Sequence, residues 1–327
     1  MDKLILYLLL VAAVFAIAFA LMRRHAGGGR VISLSTKKKM EPYLFTLPVC
    51  LLLLIVFGYP LINSAIMAFQ DYKLTNPGNA PFVGLRNFQK LFSDRDMGLI
   101  VRNSVIYVVA SVAGQFLLGM TLALALRKKF RGRGIYQAIV FLPWAFSAFV
   151  IGLMFRWSFN GEYGVINDLM QKLGYAGEKL AWLGTPGLSL TVVIFAMIWM
   201  GVPFFAIMNL AALQSIPLDV YEAADMDGCR SIRRFFAITL PYIKPTVIMT
   251  LLLRTIWIFN SFDLIVVITN GGPANHSQTM PSYMYTRAFS SYDFGLASAL
   301  GVVLMLILVV YAVVFLRVTQ YNKAGDF

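Results

Sequence analysis

The stretch Glu222–Pro241, EAADMDGCRSIRRFFAITLP, is a charged insert between two long apolar runs. Its beginning predicts a short helix, because Asp219, Glu222 and Asp225 are three residues apart and would share one side of it. Carboxylates near the start of a helix are also favoured by the helix dipole, and the proline two residues before Asp219 is suited to a first helical turn. Gly228 permits a sharp turn at the end of this helix.

A second helical segment is predicted after the glycine, from Ser231 to Thr239. Its arginines would lie opposite its apolar side chains, a pattern formed by Arg233, Arg234, Phe235, Phe236 and Ile238. Pro241 and Pro245 are expected to mark the entry into the next membrane helix. The loop 215–241 is therefore interpreted as a helix–glycine–helix knob, charged outward and aromatic inward, that inserts into a cleft of a soluble partner. An ordinary interfacial amphipathic loop is the alternative that composition leaves open.

The rest of the 327-residue chain is strongly apolar. It is 59% hydrophobic and 13% charged, about half the charged fraction of a typical soluble domain. A bilayer-spanning helix needs about 20 apolar residues. The runs of that length are 3–22, 43–68, 101–126, 135–156, 189–212, 245–268 and 294–316. The predicted fold class is an all-α polytopic membrane protein with about seven transmembrane helices, one of them an addition to a core of six.

Basic residues between the runs predict the orientation of the chain. The loops after the first and third runs are strongly basic, whereas the loops 70–100 and 157–188 are balanced. Because positively charged loops stay in the cytoplasm, we expect the N-terminus outside and both the C-terminus and Glu222–Pro241 in the cytoplasm. The same clusters account for the net charge of +13 without any binding of nucleic acid.

The first run has a second interpretation, a cleaved signal peptide, because its small residues around Ala18 resemble cleavage sites. Cleavage would export both basic loops and invert the charge rule twice, which favours a retained helix. We therefore divide the chain into residues 1–41, an extra membrane helix with a basic cytoplasmic linker, and residues 42–327, the transmembrane domain that carries the charged loop.

The sequence lacks the motifs of nucleotide-hydrolysing and proteolytic enzymes. It has no phosphate-binding G-x-x-x-x-G-K-[ST] loop, no H-E-x-x-H, no G-x-S-x-G and no paired Cys/His spacing. We therefore predict no catalytic residue, no metal site and no cofactor bound by this chain. A proton relay would need carboxylates or histidines inside helices, and Asp263, near a helix end, is the sole candidate. Energy for uphill transport would have to come from a partner.

At this point the residues resemble a known family, the permease subunits of bacterial ABC importers. These carry a motif of the form EAA, three residues, Gly, nine residues and Ile-x-Leu-Pro, which Glu222–Pro241 matches at every fixed position. Cys229 and Ile232 stand where sugar permeases often have alanine and tryptophan. The stretches IVFLPWAFSAFVIGLMFRWSFNGEYGVIN, from Ile139, and FNSFDLIVVITNGGP, from Phe259, resemble the carbohydrate-uptake, maltose-transporter-like branch. The resemblance spans roughly residues 42–320.

This resemblance implies a set of partners and a mechanism. It implies a heterodimer with a second permease, two cytoplasmic ATPase subunits that hold ATP and Mg²⁺, and an extracytoplasmic solute-binding protein. It assigns ATPase coupling to Asp219, Glu222, Ala223, Ala224, Asp227, Gly228 and Arg233. Glu222 would pair with a basic residue of the ATPase, whose closure would switch the permeases from inward-facing to outward-facing.

A substrate path is predicted on the sixth run. Arg254 lies near its middle, where a charge costs about 2.5–3.5 kcal/mol, so it should face the bundle interior or a wet cavity. Trp257 and Ser261 follow at spacings that put all three on one helical face. Stacking by an indole and hydrogen bonding by the polar groups suit a sugar. The resemblance adds Met200, Gly201 and Phe204 on the preceding helix, and Asn260 and Asp263 are assigned to a gate or a structural role.

Other interpretations remain at the level of sequence. If Arg254 lines the path, a guanidinium suggests an anionic sugar such as a uronate oligosaccharide; the alternative is an ion pair with the partner permease. A stand-alone secondary transporter would need interior carboxylates that the sequence scarcely supplies. An integral membrane enzyme acting on lipid-linked sugars would need clustered acids or histidines at an interface, and the acids at 219–227 are the nearest approach.

Overall fold

The computed structural model describes residues 46–128 and 130–321, in which helices account for most of the chain. In chain order the helices are α1 (Thr46–Met67), α2 (Arg86–Phe92), α3 (Met97–Arg127), α4 (Arg133–Phe141), α5 (Ala148–Ser158), α6 (Val165–Lys172), α7 (Leu188–Gln214), α8 (Leu218–Met226), α9 (Ser231–Arg234), α10 (Leu240–Asn260), α11 (Asp263–Ile268), α12 (Met280–Tyr285) and α13 (Phe294–Thr319). Wider π-helical turns lie at Leu54–Gly58, Phe235–Thr239 and Thr286–Ser290.

Five helical segments are long and apolar enough to cross a membrane, or six if one bent pair is counted as a span. They are α1, α3, α7, the segment Ser231–Ile268 and α13, with α4 and α5 as the bent pair. The all-α fold class and the predicted runs 43–68, 101–126, 189–212 and 294–316 are confirmed. The predicted extra helix at 3–22 and its linker lie outside the described residues.

The predicted run 135–156 is present as two helices that together are apolar enough to span, but the chain bends by 94° between them. Pro143 lies in a 3-10 turn, Leu142–Ala145, and Phe146 is extended. Ser147 then caps a new helix by accepting a hydrogen bond from the backbone N–H of Val150. The stretch is apolar throughout. Its sequence therefore predicts that it lies in an apolar medium, but it does not predict the direction in which the chain runs.

The two prolines after the charged insert do not interrupt the helix as expected. The helical path continues from Ser231 through Pro241 and Pro245 to Asn260, breaks at Ser261–Phe262 and resumes as α11. Pro241 lies in the first turn of α10, where the missing N–H is tolerated, directly after the π-helical turn Phe235–Thr239. The part of the charged insert that follows Gly228 is therefore continuous with the sixth membrane run.

The core is built around α7. In the most apolar window of this helix, 56% of the residues are buried within the chain. The α3 helix packs along it at close range, since a Cβ added at Gly114 or Gly119 would overlap atoms of α7. Small residues at such positions let two membrane helices approach closely. Residues of α5, α10 and α11 complete the apolar core around this pair.

The segment between α11 and α13 is fastened to the start of α3 by polar side chains. Asn103 donates to the backbone carbonyls of Asn275, His276 and Gln278 at 3.1–3.2 Å. Ser104 accepts a hydrogen bond from the backbone N–H of Met280 at 2.8 Å. These contacts hold a non-helical stretch across the end of the helix bundle.

Candidate functional site

The charged insert folds as predicted into a helix, a glycine turn and a second helix. Helix α8 begins directly after Pro217 and ends at Met226, and Gly228 has a φ of +67°, which glycine adopts without strain. The carboxylate-bearing residues Asp219, Glu222, Asp225 and Asp227 are all exposed, as are Ala223 and Arg233, whereas Ala224 is buried. Asp227 lies at the C-cap rather than in the helix.

Tyr221 holds the inner side of α8 on the membrane helices. It is only 8% exposed, and its hydroxyl lies 3.1 Å from Oγ1 of Thr239. The guanidinium of Arg127, at the end of α3, lies 3.9 Å from the centre of the ring. The acidic helix is therefore connected both to α3 and to the helix that follows the glycine. The sequence signal for Tyr221 is a single aromatic side chain within an acidic helix.

The second helix differs from the predicted charged-out, aromatic-in arrangement. Phe235 packs against the core, but Phe236 is 63% exposed and Ile232 is 76% exposed. Successive residues of a helix point about 100° apart, and where this segment packs on one side Phe235 faces the core while Phe236 points away from it. Arg234 turns back to form an ion pair with Asp225 of α8, which links the two helices.

Arg254 is buried in the bundle, 6% exposed, and is held by an amide that the sequence analysis missed. Its Nε donates to Oε1 of Gln115 at 2.7 Å, and Nε2 of Gln115 donates to the carbonyl of Met197 at 2.7 Å. Gly201 makes room for this contact, because a Cβ there would overlap the Gln115 amide. Among the described residues, Nη2 of Arg254 has no hydrogen-bond partner.

Two aromatic rings flank this arginine. The rings of Phe204 and Trp257 are centred 5.6 Å and 5.9 Å from its guanidinium carbon and 5.7 Å from each other. Phe204 is buried, whereas Trp257 is 56% exposed. Met200 packs at the edge of the core beside them. The structure thus brings together Arg254, Trp257, Phe204 and Gly201 from α7 and α10.

The remaining predicted path residues lie at the end of α10. The helix stops at Asn260, so Ser261 is not on one helical face with Arg254, and its hydroxyl instead lies 3.0 Å from that of Tyr107. Asn260 is exposed and donates to the carbonyl of Ile256 at 2.9 Å. Asp263 is exposed and begins α11. Tyr107, like Gln115, is a polar residue in the apolar run of α3. A polar residue inside an apolar run is the sequence signal that points to both.

Three features define a permease of the ABC importer class. They are the helix bundle, the acidic helix that a glycine joins to a membrane helix, and the polar cluster inside the bundle. Residues 115–322 match the family model of the binding-protein-dependent transport system inner membrane component. The chain belongs to this family, whose name places it in the inner membrane.

Individual relatives agree with this assignment. The chain is 34% identical over 273 residues to a sulfoquinovosyl glycerol transport system permease protein of Agrobacterium fabrum, a match over 84% of this chain and 88% of the relative. It is 33% identical over 281 residues to a trehalose/maltose transport system permease protein of Thermococcus litoralis, over 86% and 94% of the two chains.

A solved structure shares the fold. It is the crystal structure of a bacterial ABC transporter involved in the import of the acidic polysaccharide alginate, with a TM-score of 0.76. The match covers 88% of this chain and 97% of that chain at 24% identity. At that level of identity the likeness concerns the fold alone.

Proposed function

We propose that this chain is one of two permease subunits of an ATP-driven carbohydrate importer, and that the work of ATP hydrolysis enters it through α8. The observation that supports this most directly is an exposed acidic helix whose inner side is held by Tyr221. The partners are a second permease, two cytoplasmic ATPase subunits that bind ATP and Mg²⁺, and an extracytoplasmic solute-binding protein. Relatives named for trehalose/maltose and for arabinooligosaccharides support a carbohydrate cargo.

The coupling step follows from the contacts that hold α8 on the membrane helices. The loop faces the cytoplasm, together with the C-terminus, and the N-terminus lies outside. Asp219, Glu222 and Asp227 present their carboxylates to the ATPase, with Glu222 pairing with a basic residue there. Movement of the ATPase is passed from α8 to α3 through the Tyr221–Arg127 contact, and to α10 through the continuous helix after Gly228. The chain itself holds no nucleotide and catalyses no reaction.

The cargo path lies beside Arg254. Trp257 has an exposed ring for stacking on a sugar face, and beside it the buried Nη2 group of Arg254 has no partner among the described residues. A sugar with a carboxylate would accept a charge-assisted hydrogen bond from that group. We therefore propose an acidic oligosaccharide as cargo.

Substitution of Arg254 tests this part of the proposal. The assay is uptake of an oligouronate by cells that express the whole importer with its solute-binding protein. Arg254→Ala is expected to abolish uptake while the complex still assembles, and Arg254→Lys, which keeps the charge, to retain part of it. Unchanged uptake by Arg254→Ala, or a wild-type importer that carries neutral oligosaccharides but no oligouronate, would contradict the acidic cargo.

The structure also supports a second role for Arg254. Its bond to Gln115, which reaches on to the carbonyl of Met197, joins α10 to α3 and α7. If the arginine serves only this purpose, Arg254→Ala will lower the thermal stability of the purified complex, and uptake will fall in proportion to the amount of folded protein. Uptake normalised to assembled complex separates this role from cargo recognition.

The coupling assignment is tested by Glu222→Lys with Glu178→Lys as a matched control. Both residues are exposed carboxylates, but Glu178 lies in the loop between α6 and α7. We expect Glu222→Lys to prevent the ATPase from co-purifying with the detergent-extracted permease, and Glu178→Lys to leave co-purification unchanged. ATPase docking and transport that survive Glu222→Lys would exclude the proposed coupling, and uptake by this chain alone would favour a secondary transporter.

A further inference from the structure

A cavity of about 600 Å³ lies between the end of α3 and the start of the helix that follows Gly228. Its charged lining consists of Arg127, Lys128 and Arg234, and no carboxylate of the described residues lines it. Arg127 is the last residue of a membrane helix, which is where positive side chains meet lipid headgroups on the cytoplasmic side. The cavity is therefore a concentrated positive site at a membrane boundary, away from Arg254 and the cargo path.

The rest of the lining is apolar and partly exposed. Leu124, in the last turn of α3, continues the cavity from the cations toward the membrane. Ile232 and Phe236 line the same cavity and are 76% and 63% exposed. An inorganic anion would neutralise the cations but leave this apolar surface in water, whereas an amphiphile would cover both.

We propose that this cavity binds an anionic phospholipid of the cytoplasmic leaflet, with its headgroup on the cations and the upper part of its acyl chains on the apolar wall. Phosphodiester oxygens match guanidinium N–H groups, and lysine adds a point charge. Nη1 of Arg234 donates to Asp225. Because an arginine has five N–H donors, this guanidinium keeps other donors for a headgroup. Basic pockets at the cytoplasmic ends of membrane helices bind anionic lipid headgroups of this kind.

The location gives the lipid a direct connection to the acidic helix. Tyr221 also lines the cavity, and its ring lies under Arg127 at 3.9 Å. A headgroup bound to Arg127 therefore contacts the pair of residues that holds α8 on α3. The proposal rests on the proposed function for the cytoplasmic position of this loop.

The test uses the purified, delipidated whole complex in detergent. Dioctanoyl phosphatidylglycerol, dioctanoyl phosphatidylcholine and inorganic phosphate are titrated separately, and bound molecules are counted by native mass spectrometry. We expect saturable binding of phosphatidylglycerol, and roughly 25-fold weaker binding by Arg127→Gln/Lys128→Gln, about fivefold for each cation removed. Arg127→Lys/Lys128→Arg keeps both charges and is expected to restore binding.

The matched control is Arg317→Gln. Arg317 is exposed and lies in the last turn of another membrane helix, α13, but does not line the cavity. Its substitution is expected to leave phosphatidylglycerol binding unchanged. If the double variant does not assemble, the exposed Lys128→Gln alone should weaken binding about fivefold, and 1 M salt should weaken binding to the wild type.

Three outcomes would overturn the proposal. Equal binding of phosphatidylglycerol and phosphatidylcholine would remove the role of charge, and equal binding of inorganic phosphate would indicate a site for free anions. Binding to the isolated permease but not to the complex would mean that the ATPase covers the cavity. Co-purification of the ATPase and sugar uptake, measured on the same preparations, test the proposed function separately, so loss of the lipid site alone leaves that function standing.

Discussion

The buried amide of Gln115 joins three helices through hydrogen bonds. Fully buried in α3, it accepts a hydrogen bond from Arg254 of α10 and donates one to the carbonyl of Met197 in α7. Removal of its amide would leave a buried charge without this partner, which costs several kcal/mol. The contact requires glycine at position 201, because any Cβ there would occupy the place of the amide.

Gly201→Ala is therefore expected to separate α3 from α7 locally and to destabilise the protein by about 1–3 kcal/mol, the usual cost of overpacking. The measurement is the thermal midpoint of the purified complex. Gly134→Ala is the matched control, because Gly134 also lies in a helix but a Cβ there meets no atom within 4 Å. This control should be neutral or slightly stabilising, since alanine favours helices over glycine by about 1 kcal/mol. Equal effects of the two substitutions would contradict the packing argument.

At the scale of elements, the inner side of α8 has defined attachments, which the proposed coupling role requires. Tyr221 offers two of them, the hydroxyl contact with Thr239 and the ring under Arg127, and the Asp225–Arg234 ion pair adds a third. The two contacts of Tyr221 differ in chemistry and can be removed one at a time.

Tyr221→Phe removes the hydroxyl contact, worth about 1 kcal/mol, but keeps the ring. Tyr221→Ala removes both and detaches α8 from α3. We expect Tyr221→Ala to hydrolyse ATP with little sugar uptake, and Tyr221→Phe to remain close to wild type. The measurement is the number of ATP molecules hydrolysed for each sugar transported in proteoliposomes. Normal coupling in Tyr221→Ala would show that movement does not pass through this residue.

A second group of elements is joined through Asp94. Burial raises the pKa of this carboxyl, but hydrogen bonds from Tyr283 and the N–H of Asp96, with the charge of Arg287 3.1 Å away, outweigh it and hold the pKa below its usual 3.8. Burial and the hydrogen bond to Asp94 raise the pKa of Tyr283 to about 12, so its hydroxyl stays a donor at neutral pH. The ionised carboxylate thus ties the loop before α3 to α12 and the turn after it.

Because the folded-state pKa of Asp94 is lowered, its contribution to stability is present above its ordinary pKa and is lost as the pH falls through the lowered value. At pH 7, Asp94→Asn should therefore unfold more easily by about 1–2 kcal/mol. The difference from wild type should shrink as the pH is lowered below about 4. Thermal unfolding across pH measures this, and the exposed Glu178→Gln serves as control. A difference that does not change with pH would assign the effect to shape rather than charge.

The elements also show what sequence predicts and what it does not. Helix α8 was predictable because its signals are local: spaced acids, a proline before it and Gly228 after it. The 94° bend between α4 and α5 was not, because an apolar run has the same composition whether straight or bent. The Gln115–Arg254 bond joins residues 139 apart, and only the packing of the helices brings them together. The roles of Arg254 and Trp257 in a cargo path remain predictions.

For the molecule as a whole, burial is distributed unevenly over the membrane helices. Among the residues that the structure describes, the most apolar window of α7 is 56% buried, that of α13 is 17% buried and that of α1 is 0% buried. Much of the apolar surface of α1 is therefore left open among the described residues, whose helices form a central pair, α3 and α7, with peripheral helices around it. Which side of the membrane the charged loop occupies is the property on which its coupling role depends.

Cys229 allows that orientation to be measured directly. It lies partly exposed in the loop after α8, next to Gly228, and the other cysteine, Cys50, lies in α1. In a Cys50→Ser background, a membrane-impermeant maleimide should label Cys229 in inside-out vesicles and not in right-side-out vesicles, because the basic loops keep this side in the cytoplasm.

The control is a Cys50→Ser/Cys229→Ser variant, which should not be labelled in either preparation. Labelling of Cys229 from the outer side would place α8 away from ATP and exclude its contact with a cytoplasmic ATPase. It would also reverse the choice made for the first apolar run, since loss of that run as a signal peptide inverts every later loop. One accessible thiol therefore tests the topology, the retained first helix and the coupling role together, and labelling from the cytoplasmic side alone is the result that all three require.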